Sequence, residues 1–256
     1  MSSTTEAVRT LIGGPSDFGI GWVIILASSV LTIAVIIFGF LKWLVGRIQE
    51  KKRILESVSL LDTGGHISYF TALLGTPVSI TPVNDKLEYI FVNKYCYVQA
   101  LTDQNGTVSL FSITTREKNF NPTLKDRFDN FSLKLGRNTF AQLGHTPKRA
   151  VVGSDHGAVT FYSEAYYLGY DGGYRTYFFS FNPNGYGKIG AHPHDFNPAL
   201  HISPSPTMQD FRENTTINTY TISTYYGPDG HKEVNDSAFF GPRDQQIRTF
   251  KKKHFK

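Results

Sequence analysis

Cysteine is almost missing from this chain. Cys96 stands alone, so no intrachain disulfide can form and a small disulfide-stapled fold is excluded. Within Tyr95-Cys96-Tyr97 it reads as a buried strand residue rather than a reactive thiol. Charge is sparse too, at 18% of residues, which disfavours long solvent-exposed helices. The body lacks any basic surplus: residues 57–242 carry 14 Lys/Arg against 16 Asp/Glu, so no positive face is available for nucleic acid. Gly-rich stretches such as Gly185-Tyr186-Gly187 lack the lysine and spacing of a phosphate-binding loop, and no cofactor is expected.

What is plentiful is aromatic and small: 20 Phe, 14 Tyr and 23 Gly in 256 residues, a mixture that suits strands and turns. A chain of this length buries a core without disulfides or metals.

From Phe18 to Leu41 run 24 residues without a formal charge, enough to span a hydrocarbon layer as a helix. Trp22 and Trp43 bracket the run, as indole rings do at membrane interfaces. A cleavable signal peptide fits poorly, because Glu6, Arg9 and Asp17 replace a basic cluster and Lys42-Trp43 stands where small residues belong. Arg9 on one side faces Lys42, Arg47, Lys51, Lys52 and Arg53 on the other. That bias predicts an inner-membrane protein with its N-terminus outside and its C-terminal domain cytoplasmic. Leu41, Leu44, Ile48, Leu55 and Val58 follow steps of three and four. They predict either a coiled-coil seam pairing two anchors into a homodimer, or one amphipathic helix lying against the domain. The second fits the short stretch better.

Two segments resemble each other at an offset of 70 residues: Phe70, Leu73, Thr76 and Pro77 match Phe140, Leu143, Thr146 and Pro147. Each predicts a short helix capped by Ser68 or by Asn138/Thr139 and ended by Gly75 or Gly144, with Pro blocking continuation. Strands follow each helix: 78–80, 87–99 and 107–113 in the first case, 150–152, 158–168 and 174–181 in the second. Asx-Gly turns fall at Asp103–Gly106, Asp171–Gly173 and Asn182–Gly185. Thr215–Tyr226 has the composition of one more strand, expected to close a sheet edge.

The expected fold is therefore α+β and strand-rich: one N-terminal transmembrane helix, then two tandem units of short helix plus antiparallel sheet. The divisions are an external tail at 1–17, the membrane helix at 18–45 and a basic juxtamembrane helix at 46–61. The two units follow at 62–127 and 128–200, then a connector with its strand at 201–242 and a basic tail at 243–256.

The order glycine, short helix, Leu-Gly-x-x-Pro, aromatic strand, turn, strand resembles the helix-plus-sheet unit of the SmpA/OmlA outer-membrane assembly lipoproteins. It also resembles the tandem repeats of the β-lactamase-inhibitor protein. The likeness covers residues 134–190 best and 62–113 less well. It implies an adaptor or inhibitor surface on a concave sheet. Through Gly-His-Thr-Pro, Ser-Glu-Ala-Tyr-Tyr and Ile-Asn-Thr-Tyr-Thr the whole chain resembles a family of uncharacterised bacterial single-pass membrane proteins.

Several groups have the letters of chemistry. Asp62-Thr63-Gly64 after Leu60-Leu61, with Ala150-Val151-Val152-Gly153-Ser154-Asp155 further on, is similar to the two signatures of a dimeric retroviral-type aspartic protease, with Asp62 as the acid. Gly65 occupies the usual small-residue position, but no strand precedes the motif, and a turn behind the juxtamembrane helix explains the same letters. His192, His194 and His201 would be the ligands of a zinc site, although Pro193 and Pro198 describe a loop and no metal is expected. Ser154-Asp155-His156 are consecutive, and their side chains cannot converge as a triad.

The aromatic run offers a contact surface for a protein partner through Tyr162, Tyr166, Tyr170, Tyr174 and Tyr177, with Tyr167 on the opposite strand face. The bland account of the same run is core packing across a hairpin. Lys42, Arg47, Lys51, Lys52, Arg53, Lys251, Lys252 and Lys253 would lie at anionic lipid. The expectation is a membrane-tethered interaction or scaffold protein without catalytic activity, with the protease as the competing reading.

Overall fold

A computed structural model describes residues 15–125, 131–144, 147–155, 158–169, 175–193, 196, 205–224, 241–242 and 247. The chain divides into two compact units, Met1–Lys52 and Arg53–Lys256. The expected Asp171–Gly173 turn lies outside the described residues.

Helix α1 spans Pro15–Ser59. In the first unit its apolar side chains have no protein cover: Ile36 is 64% exposed and Phe38 70%. The described stretch Ala27–Ser59 is long and apolar enough to cross a membrane.

The second unit opens with the end of α1. Ile54 and Val58 are buried, Leu55 packs against the same core, and Leu61 follows in the next loop. This end of the helix therefore packs on the domain through one apolar side. Leu41, Leu44 and Ile48, in the first unit, are exposed.

Helix α2 covers Ile67–Leu74. Its N-cap is His66 rather than Ser68, because the His66 ring nitrogen accepts the Ser68 N–H. Gly75 ends it, and Phe70 is fully buried. The later segment forms a shorter 3-10 helix, Phe140–Leu143, with Thr139 N–H donating to Gln142 Oε1 at 3.0 Å. Gly144 terminates it at φ 68°, a left-handed conformation that glycine adopts without a Cβ clash.

Among the described residues, ten strands follow in chain order: β1 Ser79–Val83, β2 Lys86–Val92, β3 Cys96–Thr102, β4 Val108–Thr115, β5 Thr123–Lys125, β6 Ser132–Lys134, β7 Arg149–Asp155, β8 Ala158–Leu168, β9 Arg175–Phe181 and β10 Thr219–Ser223. Helix α3, Pro206–Asn214, precedes β10 and is capped by the Ser205 hydroxyl on the Met208 N–H. The run expected as one strand over 87–99 is broken. Asn93 Oδ1 accepts the N–H groups of Tyr95 and Cys96 at 2.8 and 2.9 Å, and this local turn splits it into β2 and β3.

Among the described residues, eight strands form one antiparallel sheet in the order β1-β2-β3-β4-β10-β9-β8-β7, and β5 and β6 pair in a separate two-stranded sheet. The last strand therefore fills the middle of the sheet instead of an edge. Tyr220 lies between Ile113 of β4 and Phe179 of β9, and pairing on both sides satisfies its backbone. The fold is α+β and strand-rich, with a large antiparallel sheet.

One sheet face carries the main core. Phe70 meets Phe111 edge-on at 5.5 Å, Tyr162 packs between Phe140 and Phe211 at 4.7 and 4.9 Å, and Phe131, just before β6, sits over Tyr177 and Phe179. The other face is mixed in character, with the buried polar residues Gln99, Ser112 and Thr221 beside the apolar cluster of Leu101, Leu110, Ala165 and Phe178.

Candidate functional site

Three of the expected contact tyrosines turn inward. Tyr162, Tyr166 and Tyr177 are buried in the main core, and Tyr170 and Tyr174 lie outside the described residues. Strand alternation accounts for this, since Tyr162, Glu164 and Tyr166 share the face of β8 that α3 and the 3-10 helix cover. Their side chains are therefore not available to a partner in this structure.

Between these two rings lies Glu164, fully buried. Tyr162 donates its hydroxyl to Glu164 Oε1 at 2.5 Å and Tyr166 donates to Oε2. Arg212 from α3 donates Nε to Oε1 at 2.6 Å, and Nη2 to Oε2 and to the Phe140 carbonyl, each at 3.1 Å. Burial, then the neighbouring carboxylate, pushes both phenol pKa values well above the usual tyrosine range. Burial acts to lower the Arg212 pKa, but the charge and hydrogen bonds of Glu164 outweigh it and keep the guanidinium charged. Each carboxylate oxygen is served by a phenol and by the guanidinium, so the group braces α3 to β8 and offers no reactive lone partner. The signal in the sequence was an acid between two tyrosines on one strand face.

Asp62 sits in the loop behind α1 with its side chain 60% exposed. It accepts the Thr63 N–H at 2.8 Å and forms an ion pair with Arg175 of β9. Burial acts to lower the Arg175 pKa, and the hydrogen bond and charge of Asp62 more than offset it. An exposed carboxylate beside a cation is the reverse of the paired-acid setting in which one proton is shared. The following glycines serve structure: Gly64 N–H donates to the Val108 carbonyl and Val108 N–H to the Gly65 carbonyl, which fastens the loop to β4.

His192 is half-buried, with its ring nitrogen 2.8 Å from the Pro193 carbonyl; His194 and His201 lie outside the described residues. Among the described residues no three metal-donor side chains cluster. Lys42, Arg47, Lys51 and Lys52 lie on α1 in the first unit, where the Arg47 guanidinium stands 4.9 Å over the Trp43 ring. Arg53 is the first residue of the second unit, and Lys251, Lys252 and Lys253 fall outside the described residues.

The second sheet face carries the other concentration of polar groups. One row crosses four strands as Thr114, Thr219, Ser180 and Ser163, with hydroxyl contacts of 2.8 Å between Thr114 and Thr219 and between Ser180 and Ser163. In the adjoining row Gln99 pairs in register with Ser112, which pairs with Thr221. Gln99 donates Nε2 to Glu88 Oε1 at 2.5 Å, yet among the described residues its own Oε1 has no partner. The neighbouring Ser112 Oγ has none either. Leu101, Leu110, Ala165 and Phe178 form an apolar cluster beside these rows, with Val83 and Phe161 packed on it. Tyr167, 37% exposed, points to this side of β8.

Three described residues of the C-terminal segment lie on the same face. The Pro242 carbonyl accepts amide donors from Asn182 (3.4 Å) and Asn184 (3.1 Å). Gly241 sits against Thr114 and Asn182, and Ile247 packs on Ile90 and Tyr97. Sequence reading missed this arrangement, because no periodic signal marks Gly241-Pro242 as a contact.

No family model matches this chain, and no curated protein does. Among solved structures it is similar to a cysteine-rich secretory protein of Staphylococcus aureus subsp. aureus Mu50. The two are 10% identical with a TM-score of 0.27, over 72% of this chain and 50% of that one. The chain thus spans half the length of that protein.

Proposed function

We propose that this chain is a membrane-tethered interaction protein: α1 holds it in the inner membrane, and the second face of the sheet is the surface that meets a protein partner. The observation that carries the reading is the composition of that face. It sets the buried apolar cluster of Leu101, Leu110 and Phe178 beside rows of hydrogen-bonding groups, and carries Tyr167, 37% exposed, as the part open to a partner. Tyr162, Tyr166 and Tyr177 are buried on the core side, so the contact surface is this opposite face, with Tyr167 at its exposed edge. Five basic residues behind the apolar run against one before it support a cytoplasmic sheet domain. Lys251, Lys252 and Lys253 would then add about 1 kcal/mol each at an anionic leaflet.

A photo-crosslinking side chain tests the surface. Placed at Tyr167, it should yield one discrete protein adduct in native membranes. Placed at Tyr69, exposed on α2, it should yield none. Equal adducts at both positions, or none at Tyr167, would remove the second face as the contact surface.

A further inference from the structure

We propose that a cavity beside β5 and β6 is an anion site that takes the phosphate ester of a small polyol, with Lys134 and Arg137 as its charged contacts. It uses no residue of the second sheet face and stands independently of that reading.

The local sequence builds it. Strand alternation sends Leu124 and Leu133 into the core and leaves Thr123, Ser132 and Lys134 outside, with Thr123 opposite Lys134 in the register. Leu135 is fully buried, and Gly136 takes φ 75°, where a Cβ would stand 2.9 Å from Thr115 Oγ1. Gly136 N–H donates to the Ile217 carbonyl at 2.7 Å, and Ile217 N–H donates to the Asn138 carbonyl at 2.9 Å. These bonds fasten the turn that carries Arg137 to the segment leading into β10. The backbone beneath both cations is therefore held before any ligand arrives. Between Phe131 and Gly144 the chain has Lys134 and Arg137 and no acid, so positive charge is concentrated here although the body has no basic surplus.

Thr123, Ser132, Lys134, Arg137, Asn138 and Gln142 line an open cavity of about 510 Å³, and Leu133 is the one apolar lining residue among those described. Hydrogen bonds along the wall occupy its acceptors. Asn138 Oδ1 accepts the Lys134 N–H at 2.5 Å, and Gln142 Oε1 accepts from Asn138 Nδ2 at 2.7 Å and from the Thr139 N–H at 3.0 Å. A ligand is left the donor side: the Gln142 amide, two hydroxyls, an ammonium and a guanidinium. Among the described residues neither Lys134 nor Arg137 has an ion pair, and no carboxylate lines the cavity.

A donor wall with two cations suits an oxyanion. Phosphate sets several acceptor oxygens around one charged centre, the arrangement that charge-assisted hydrogen bonds from Lys and Arg favour. The volume is that of a small-molecule site rather than of a lone ion. The hydroxyls and the amide match the alcohol groups of a polyol, and among the described residues no aromatic ring lines the cavity to stack on a base. A soluble glycerol or sugar phosphate and the head group of a glycerophospholipid share this chemistry.

Calorimetric titration of the full-length protein with glycerol 3-phosphate, at low salt in phosphatidylcholine nanodiscs, tests the site. One saturable site is expected. Lys134→Met and Arg137→Gln, both at exposed positions, should each weaken it about tenfold or more, as loss of a charge-assisted hydrogen bond does. Lys86→Met removes the same charge from β2, outside the cavity, and should leave binding unchanged. Malate, a dianion of two carboxylates, should bind about tenfold or more weakly than the phosphate ester. Dihexanoyl phosphatidylglycerol, added as a soluble lipid, separates the sources: displacement of the probe assigns the head group, and no displacement assigns the soluble ester. The absence of saturable binding up to about 10 mM probe overturns the site. Equal losses in Lys86→Met, or full affinity in the two cavity variants, overturn it as well. Malate bound as tightly as glycerol 3-phosphate overturns the assignment to phosphate.

Discussion

Replacing Arg212 by Met would remove the guanidinium from the Glu164 group while keeping most of the apolar stem. The Glu164 side chain is completely buried and that of Arg212 is only 13% exposed. The variant leaves a carboxylate with two phenol donors and no cation, and it strips the Phe140 carbonyl of a donor. Breaking a buried ion pair from one side costs about 3–5 kcal/mol, mostly as the penalty of the uncompensated charge. In a sheet unit of this size that corresponds to a fall in Tm of about 6–20 °C. Adding Glu164→Gln should recover part of the loss, because a neutral amide oxygen still accepts from the tyrosines without needing a cation. The coupling between the two sites is expected at about 1.5–3 kcal/mol. Urea titration of the full-length protein in detergent, followed by near-UV circular dichroism of the tyrosines, reads both quantities. An Arg212→Met loss below about 1 kcal/mol, or additive single and double variants, would refute the bracing role of this ion pair.

Alkaline stability should carry the mark of Cys96. Burial pushes its thiol up to about 12 from an ordinary value of 9.0, partly offset by Asn93 and Arg116. The unfolded chain loses that proton first, so the stabilisation is complete below pH 9 and declines as pH rises towards 12. It amounts to about 4 kcal/mol at 1.36 kcal/mol per unit. A Cys96→Ala variant should lack the decline between pH 9 and 10, before the tyrosines begin to contribute, and an unchanged slope would contradict this. Asn218→Ala should cost about 1–3 kcal/mol, since its buried side chain accepts the Asn182 N–H and donates to the Asn182 carbonyl, both at 2.7 Å. Denaturation midpoints check it. Asp62→Asn should change stability by about 1 kcal/mol or less, as exposed ion pairs do, and should abolish no peptide cleavage at acidic pH. Loss of a measurable cleavage activity in that variant would restore the protease reading.

Local chemistry was legible in the residues. Gly75 and Gly144 end their helices, Phe70 and Phe140 face inward, and the turns at Asp103–Gly106 and Asn182–Gly185 close with N–H to carbonyl bonds of 3.1 and 3.0 Å. The position of β10 was not, because its partners on β4 lie more than a hundred residues away and no turn signal encodes such pairing. The tyrosines show a subtler limit. Alternation separates Tyr162 and Tyr166 from Tyr167, but it does not say which side is the core when buried residues line both faces. The core side follows from α3, whose Arg212 claims Glu164, and that contact spans 48 positions. Asn93 stands inside an aromatic run without a neighbouring Gly or Pro to mark a turn, although its side chain makes one.

Membrane anchorage with an inward-facing sheet domain underlies the functional reading, and topology in intact cells tests it most directly. A fluorescent protein fused after Lys256 should stay with the membrane pellet through alkaline carbonate washing. It should also fluoresce and resist protease added outside, until the cells are opened. Release by carbonate, or digestion of the fusion in unbroken cells, would contradict the account.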